Sequence, residues 1–283
     1  MRIGVLTGRA KIVTGDRAFD IADISGRRFG PEPMAVYEAW DDFVAWAATA
    51  DITSAGPTEP FTIDKADAPV PAPRQIFGIG LNYRAHQLES GLPEPDVPLV
   101  FTKFPSSVTG PAGTIDLPGD QVDWEVELAV VIGRRAYEVH ADQAWSHIAG
   151  LTAAQDLSAR DVQMRPAGTP QFSLGKSFPG FTPLGPVLVT PDEWVDRNAV
   201  PLSCAINGEE TQSSTSADLI FDVPSLIAYL SGILPLLPGD VILTGTPSGV
   251  GIGQNPPRFL TDGDEILTRV GDLTMRHRVA ARR

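Results

Sequence analysis

Glycine and proline punctuate this chain densely: 27 glycines and 26 prolines fall within 283 residues. Long helices do not survive such density, because glycine is a poor helix former and proline removes a donor and clashes with the preceding turn. Short strands joined by turns are expected instead. Apolar, β-branched runs at 76–81, 98–102, 125–132, 183–189, 202–206 and 240–244 supply them. Strands are also read at 2–7 and near 11–13. The C-terminal segment predicts a hairpin, Glu265–Val270 and Leu273–Val279 about a Gly271-Asp272 turn. Two helices stand out. One spans 34–49, with Val36, Trp40, Phe43, Val44 and Trp46 on one face; the other is capped by Asp222, carries Pro224 in its first turn, and presents Leu226, Ile227, Leu230, Ile233 and Leu234. The alternating prolines Pro69, Pro71 and Pro73 mark an extended linker, so residues 1–68 read as a small N-terminal α+β module and 69–283 as the main domain. The fold class expected is mixed α/β, mainly β.

The composition, 42% hydrophobic and 20% charged, is that of an ordinary soluble protein. A formal charge of −13 repels nucleic acid and anionic membrane, so neither is expected as a partner. The single cysteine, Cys204, excludes an internal disulfide and a multi-cysteine zinc site and suits a reducing cytoplasm. No apolar run has the length of a signal peptide or a membrane span.

The chemistry-bearing residues begin with Asp123-Trp124-Glu125-Val126-Glu127-Leu128-Ala129-Val130-Val131-Ile132. The apolar tail reads as a strand buried on both faces. Residues two apart on a strand share a face, so Glu125 and Glu127 stand side by side where that strand enters the core. Close, buried carboxylates repel, and a divalent cation relieves them. The pair by itself fits an exposed strand end equally well. Asp156, at the end of the mild apolar stretch from Ile148, offers a third ligand, or else the cap of a short helix. Three carboxylates suit Mg²⁺, with Mn²⁺ or Ca²⁺ as alternatives, and not zinc.

His86 and Glu89 lie three apart after the 76–81 strand. On one helical turn the carboxylate can orient the imidazole as a water-activating base, although an exposed pair without function has the same spacing. The loop at 90–98 then places this dyad on a lid. The Gly-x-Gly at 78–80 lacks the third glycine of a dinucleotide fingerprint, and Gly175-Lys176-Ser177 lacks the glycine of a phosphate loop, since Pro170 holds that place. Lys176, between apolar neighbours, either snorkels or faces an anion. Gly245 and Thr246, in the loop after the 240–244 strand, offer backbone amides and a hydroxyl to a carboxylate. Lys103 and Arg160, with Arg84, are the cations available near such a site for the substrate's tail.

In order along the chain, Gly80-Leu81-Asn82-Tyr83 with His86 and Glu89, Phe101-Thr102-Lys103-Phe104-Pro105-Ser106-Ser107, Glu125-x-Glu127, Gln155-Asp156 with Ser158-Ala159-Arg160-Asp161, Gly175-Lys176-Ser177-Phe178, Pro183-Leu184-Gly185-Pro186 and Leu243-Thr244-Gly245-Thr246-Pro247 resemble the fumarylacetoacetate hydrolase family over roughly residues 74–280. The resemblance implies a rolled mixed β-sheet, a homodimer, and a divalent metal on Glu125, Glu127 and Asp156. It implies that His86 and Glu89 activate water and that Lys176 stabilises enolate charge. Pro179 departs from the acidic residue expected there.

The expected reaction is hydrolysis of the C3–C4 bond of a 2,4-dioxo acid, of acylpyruvate or fumarylpyruvate type, to pyruvate and a carboxylic acid. The same parts serve oxaloacetate decarboxylation, keto–enol isomerisation or hydration. A non-catalytic paralogue that binds metal and keto acid is the alternative of another class.

Overall fold

A computed structural model describes residues 1–54 and 56–282. Two mixed β-sheets face one another. The larger is 12-stranded, and its main path runs Thr58–Pro60, Arg17–Asp20, Arg9–Thr14, Arg2–Leu6, Thr182–Val189, Ile148–Gln155, Val126–Ile132, Val241–Leu243, Ile76–Gly80, Leu99–Thr102. The smaller orders Glu209–Thr215, Pro201–Ile206, Glu265–Val270, Leu273–Ala281 and Ala112–Leu117. Each contains a parallel pair among antiparallel ones: Val241–Leu243 with Ile76–Gly80, and Leu273–Ala281 with Ala112–Leu117. The class is mixed α/β and mostly β, as expected.

The Val126–Ile132 strand organises the interior. All seven of its residues are buried. Val126, Leu128, Val130 and Ile132 join the core between the sheets, while Ala129 and Val131 join a second core with Val36, Tyr37, Trp40 and Phe43 of the N-terminal segment. One strand with period 2 therefore cements two layers. The first strand also pairs with Thr182–Val189 in the same sheet, so the N-terminal segment is hydrogen-bonded to the strands around the site.

Three readings change. The 34–49 segment is two helices, Pro33–Glu38 and Trp40–Ala47, broken at Ala39, whose backbone leaves the helical region. Splitting there lets Trp40 stack on Tyr37 while Phe43 meets Phe29 edge-on. The second helix, Val223–Ser231, has the expected Asp222 cap, its side chain accepting from Ser225 N–H at 2.9 Å, and the expected buried Leu226, Ile227 and Leu230. It stops before Ile233, which is exposed. The strand Ile148–Gln155 is fully buried despite its small, weakly apolar side chains.

An ion cluster ties the N-terminal strands together. Asp20 accepts from Arg9 through both oxygens, at 2.6 and 2.8 Å, and from buried Lys11 at 2.8 Å. Burial raises the Asp20 carboxyl, but these bonds pull it from 3.8 to about 2. A depressed carboxyl stabilises the folded state above its unfolded value and loses that contribution as pH falls toward 2. Asp20→Asn is expected to cost about 1–2 kcal/mol at neutral pH, allowing for screening at Arg9. Urea unfolding of both proteins at pH 7 and pH 3 checks this: the gap should narrow at the lower pH.

Candidate metal centre and active-site cleft

At its N-terminal end the central strand turns polar, and its neighbours deliver charge to the same point. Glu125, Glu127 and Asp156 each place one oxygen within 4.8 Å of the others, and all three are buried. Asp156 follows the Ile148–Gln155 strand, not a helix cap, and reaches Glu125 because the two strands pair: Asp156 N–H donates to the Glu125 carbonyl at 2.9 Å. Gln155 accepts from Glu125 N–H, and Gln212 accepts from Val126 N–H, so side chains of the neighbouring strands hold the end of the strand in place.

Three cations answer the carboxylates. Lys176 donates to Glu125 Oε2 at 2.8 Å, Asp156 Oδ2 at 2.6 Å and Ser158 Oγ at 2.8 Å. Arg160 donates through Nη2 to Glu125 at 2.6 Å, through Nε to Asp123 at 2.7 Å and through Nη1 to Gln163 at 2.9 Å. Lys103 is completely enclosed and donates to Asp156 Oδ1 and, at 2.8 Å, to the Phe181 carbonyl. Burial would raise the Glu125 carboxyl, but Lys176 and Arg160 bring it down to about 2. Burial lowers the Lys103 ammonium despite Asp156 beside it.

Glu127 is different. Its one hydrogen bond is from Gly245 N–H to Oε2, at 2.6 Å. Burial, and then the charges of Asp156 and Glu125, push its carboxyl well above the ordinary value. A hard dication between these oxygens removes that repulsion. The all-oxygen donor set fits Mg²⁺, Mn²⁺ or Ca²⁺, and the residues present therefore fit the implied metal. The loop at 245 is shaped for this contact. Gly245 has φ of +103°, and a Cβ there would stand 2.8 Å from Asn82 Cβ.

A cleft of about 630 Å³ opens onto this centre, lined in part by His86, Glu125, Arg160, Lys176 and Thr246. His86 and Glu89 lie on a helix, Arg84–Ser90, that Gly91 ends in the left-handed conformation. His86 Nδ1 is 2.8 Å from Glu89 Oε2, and Glu89 Oε1 accepts from Gly249 N–H at 2.9 Å. The carboxylate thus fixes the ring and also ties the helix to the 249 loop. The Thr246 hydroxyl is engaged within the protein, donating to the Val126 carbonyl and accepting from Gln212, and the Gly245 amide serves Glu127. The 245–246 loop therefore braces the carboxylate strand. Lys103 sits behind Asp156, while Arg160 reaches the cleft with all three nitrogens committed. Asp123, Ser158 and Gln163 were not singled out from sequence. Asp123 is the one that left a signal, an acid directly ahead of the Trp124–Ile132 run.

Residues 75–280 match the sequence model for the fumarylacetoacetate (FAA) hydrolase C-terminal domain, and the chain belongs to that family. Over 208 residues it is 46% identical to the Homo sapiens protein named oxaloacetate tautomerase FAHD2A, mitochondrial; the match spans 73% of this chain and 66% of the human one, just under two thirds of its length. Among solved structures it is similar to a candidate HpcE protein from Mycobacterium smegmatis, at 49% identity, TM-score 0.95 and full coverage of both chains. It is also similar to maleylpyruvate hydrolase from Sphingobium sp. SYK-6, solved with manganese(II) and pyruvate, at 27% identity, TM-score 0.80 and full coverage of both. Among the described residues, no helix is long and apolar enough to cross a membrane.

Glu127→Gln should weaken Mn²⁺ binding at least about tenfold, roughly 1.4 kcal/mol. It should leave the metal-free protein no less stable, because it removes a repelled charge from the interior. Thermal unfolding with and without Mn²⁺ reads both. A variant with the metal-induced rise in Tm intact contradicts the assignment.

Proposed function

We propose that the protein catalyses proton transfer on a 2-oxo acid bearing a second carbonyl or carboxyl function, through an enolate, with keto–enol tautomerisation of an oxaloacetate-like acid as the leading reading. The observation that carries it is convergence: the His86–Glu89 dyad and Lys176 face one cleft with the three-carboxylate centre. Glu125, Glu127 and Asp156 would hold a divalent ion, which supplies Lewis-acid polarisation of the acid's 2-oxo and carboxylate oxygens. With Nδ1 paired to Glu89, His86 keeps Nε2 for the C3 proton. Charge then moves from C3 to the 2-oxygen, where the Lys176 ammonium stabilises it, and a proton returned to that oxygen gives the enol. The reverse path ketonises it. The identity to the human oxaloacetate tautomerase supports putting this reading ahead of hydrolysis, which the sequence motifs had placed first.

Hydrolysis of a 2,4-dioxo acid is the second reading, favoured by the dyad and by the likeness to maleylpyruvate hydrolase. His86 would take a proton from water, the oxygen would add to the 4-carbonyl, and the C3–C4 bond would break to leave pyruvate and an acid. Mg²⁺ as the resident ion and a homodimer, both implied by the family resemblance, belong to the same proposal. The human relative carries a mitochondrial designation, which does not support a cytoplasmic assignment.

Two assays on the Mg²⁺- or Mn²⁺-loaded protein test this: ketonisation of enol-oxaloacetate followed by absorbance, and pyruvate release from acylpyruvates. Acceleration of the first is expected, with His86→Ala slowing it about 10²- to 10⁴-fold. No acceleration of either reaction overturns the proposal; pyruvate release alone moves the second reading to first place.

A further inference from the structure

We propose that the far end of the substrate is apolar, an alkyl or aryl tail, and that Phe101, Phe172 and Met164 recognise it. The proposal rests on the reading of the cleft floor as a 2-oxo-acid site and names the class of acid that site takes. The cleft has two chemically distinct parts. Its floor carries His86, Glu125, Arg160 and Lys176, which are all of its charged or titratable lining among the described residues. Toward the mouth the lining is Leu92, Leu99, Val100, Phe101, Met164 and Phe172. Most of these large apolar side chains stand open: Met164 is 51% exposed, Leu99 45% and Phe172 40%. Single exposed apolar residues are ordinary, but a set converging from separate segments on one concave wall beside a polar floor is the pattern of a ligand site.

The wall is also ordered and continuous with the chemistry. The Phe101 and Phe172 rings lie 5.7 Å apart at 27°, close to stacked. The Lys176 ammonium lies 5.1 Å from the Phe101 centroid. An aromatic surface therefore starts where enolate charge would develop and runs outward. A planar or aliphatic group on C4 of a bound 2-oxo acid would lie along it.

The charges argue in the same direction. A second carboxylate needs a cation, and none is spare. Each nitrogen of Arg160 is already bonded to Asp123, Glu125 or Gln163. The Lys176 ammonium is matched by three acceptors. A distal carboxylate would be desolvated against phenyl rings without compensation, in a chain whose net charge of −13 already repels it.

The test uses two unreactive acids with one head group, N-phenyloxamate and N-(carboxymethyl)oxamate, titrated calorimetrically into the full-length Mn²⁺-loaded protein. N-phenyloxamate is expected to bind at least about tenfold more tightly. Phe172→Ala with Met164→Ala should erase most of that ratio, and Met164→Lys should shift it toward the carboxymethyl compound. Equal or tighter binding of the carboxymethyl compound by the unaltered protein overturns the proposal, as does a ratio that the double variant leaves unchanged. A ratio near one, with self-association lost in the double variant by sedimentation, assigns the wall to a second copy of the chain and also overturns it. Binding of neither oxamate overturns the oxo-acid reading of the floor and this proposal with it, whereas binding of both in the wrong order overturns this proposal alone.

Discussion

Repulsion among Glu125, Glu127 and Asp156 is the constraint to which the surrounding structure answers. Buried carboxylates so close together are tolerable only with compensating charge and hydrogen bonds. Lys176, Arg160 and Lys103 provide the charge from three separate segments, so the loops after the 99–102 strand, after Ser158 and after the Phe172–Gly175 helix must all converge on one point. Glu127 is left with a backbone amide alone. That asymmetry distinguishes a metal site from a structural salt-bridge cluster, since a purely structural cluster gains nothing from an unpaired acid in its interior.

The rest of the site follows from how the carboxylates are anchored. Their strand continues into both hydrophobic cores, which makes the platform rigid. Polar side chains of adjoining strands, Gln155 and Gln212, hold its entry end, and the 245–246 loop is tied to it through Gly245 and Thr246. The dyad, by contrast, sits on a short helix attached through Glu89 to Gly249. Fixed carboxylates facing a base on a detachable element suit a reaction in which substrate must enter, be closed in and leave.

Legibility in the sequence tracked local pattern. The 126–132 strand, the C-terminal hairpin and the Asp222-capped helix were readable because apolar spacing and turn chemistry are local signals. Ile148–Gln155 gave a weak signal because Ala, Gly and Thr carry little β preference, and Glu209–Thr215 none, because its side chains are almost all polar. In the site, period 2 placed Glu125 beside Glu127 and i,i+3 spacing placed His86 beside Glu89. Asp156 joined them only through ordered motifs, since strand pairing across 30 residues leaves no local trace. The enclosed position of Lys103 and the aromatic wall of Phe101 and Phe172 are tertiary facts that no window of sequence contains.

The account stands on one claim, that these three carboxylates hold a divalent ion within reach of Lys176 and the dyad. Crystals grown with Mn²⁺ and pyruvate, measured at the manganese edge, address it most directly. The account predicts a single strong anomalous peak coordinated by Glu125, Glu127 and Asp156, with the 2-oxo acid on its open side facing His86. A peak elsewhere, or an undisturbed Lys176 bridge between Glu125 and Asp156 with no metal at saturating Mn²⁺, would contradict it.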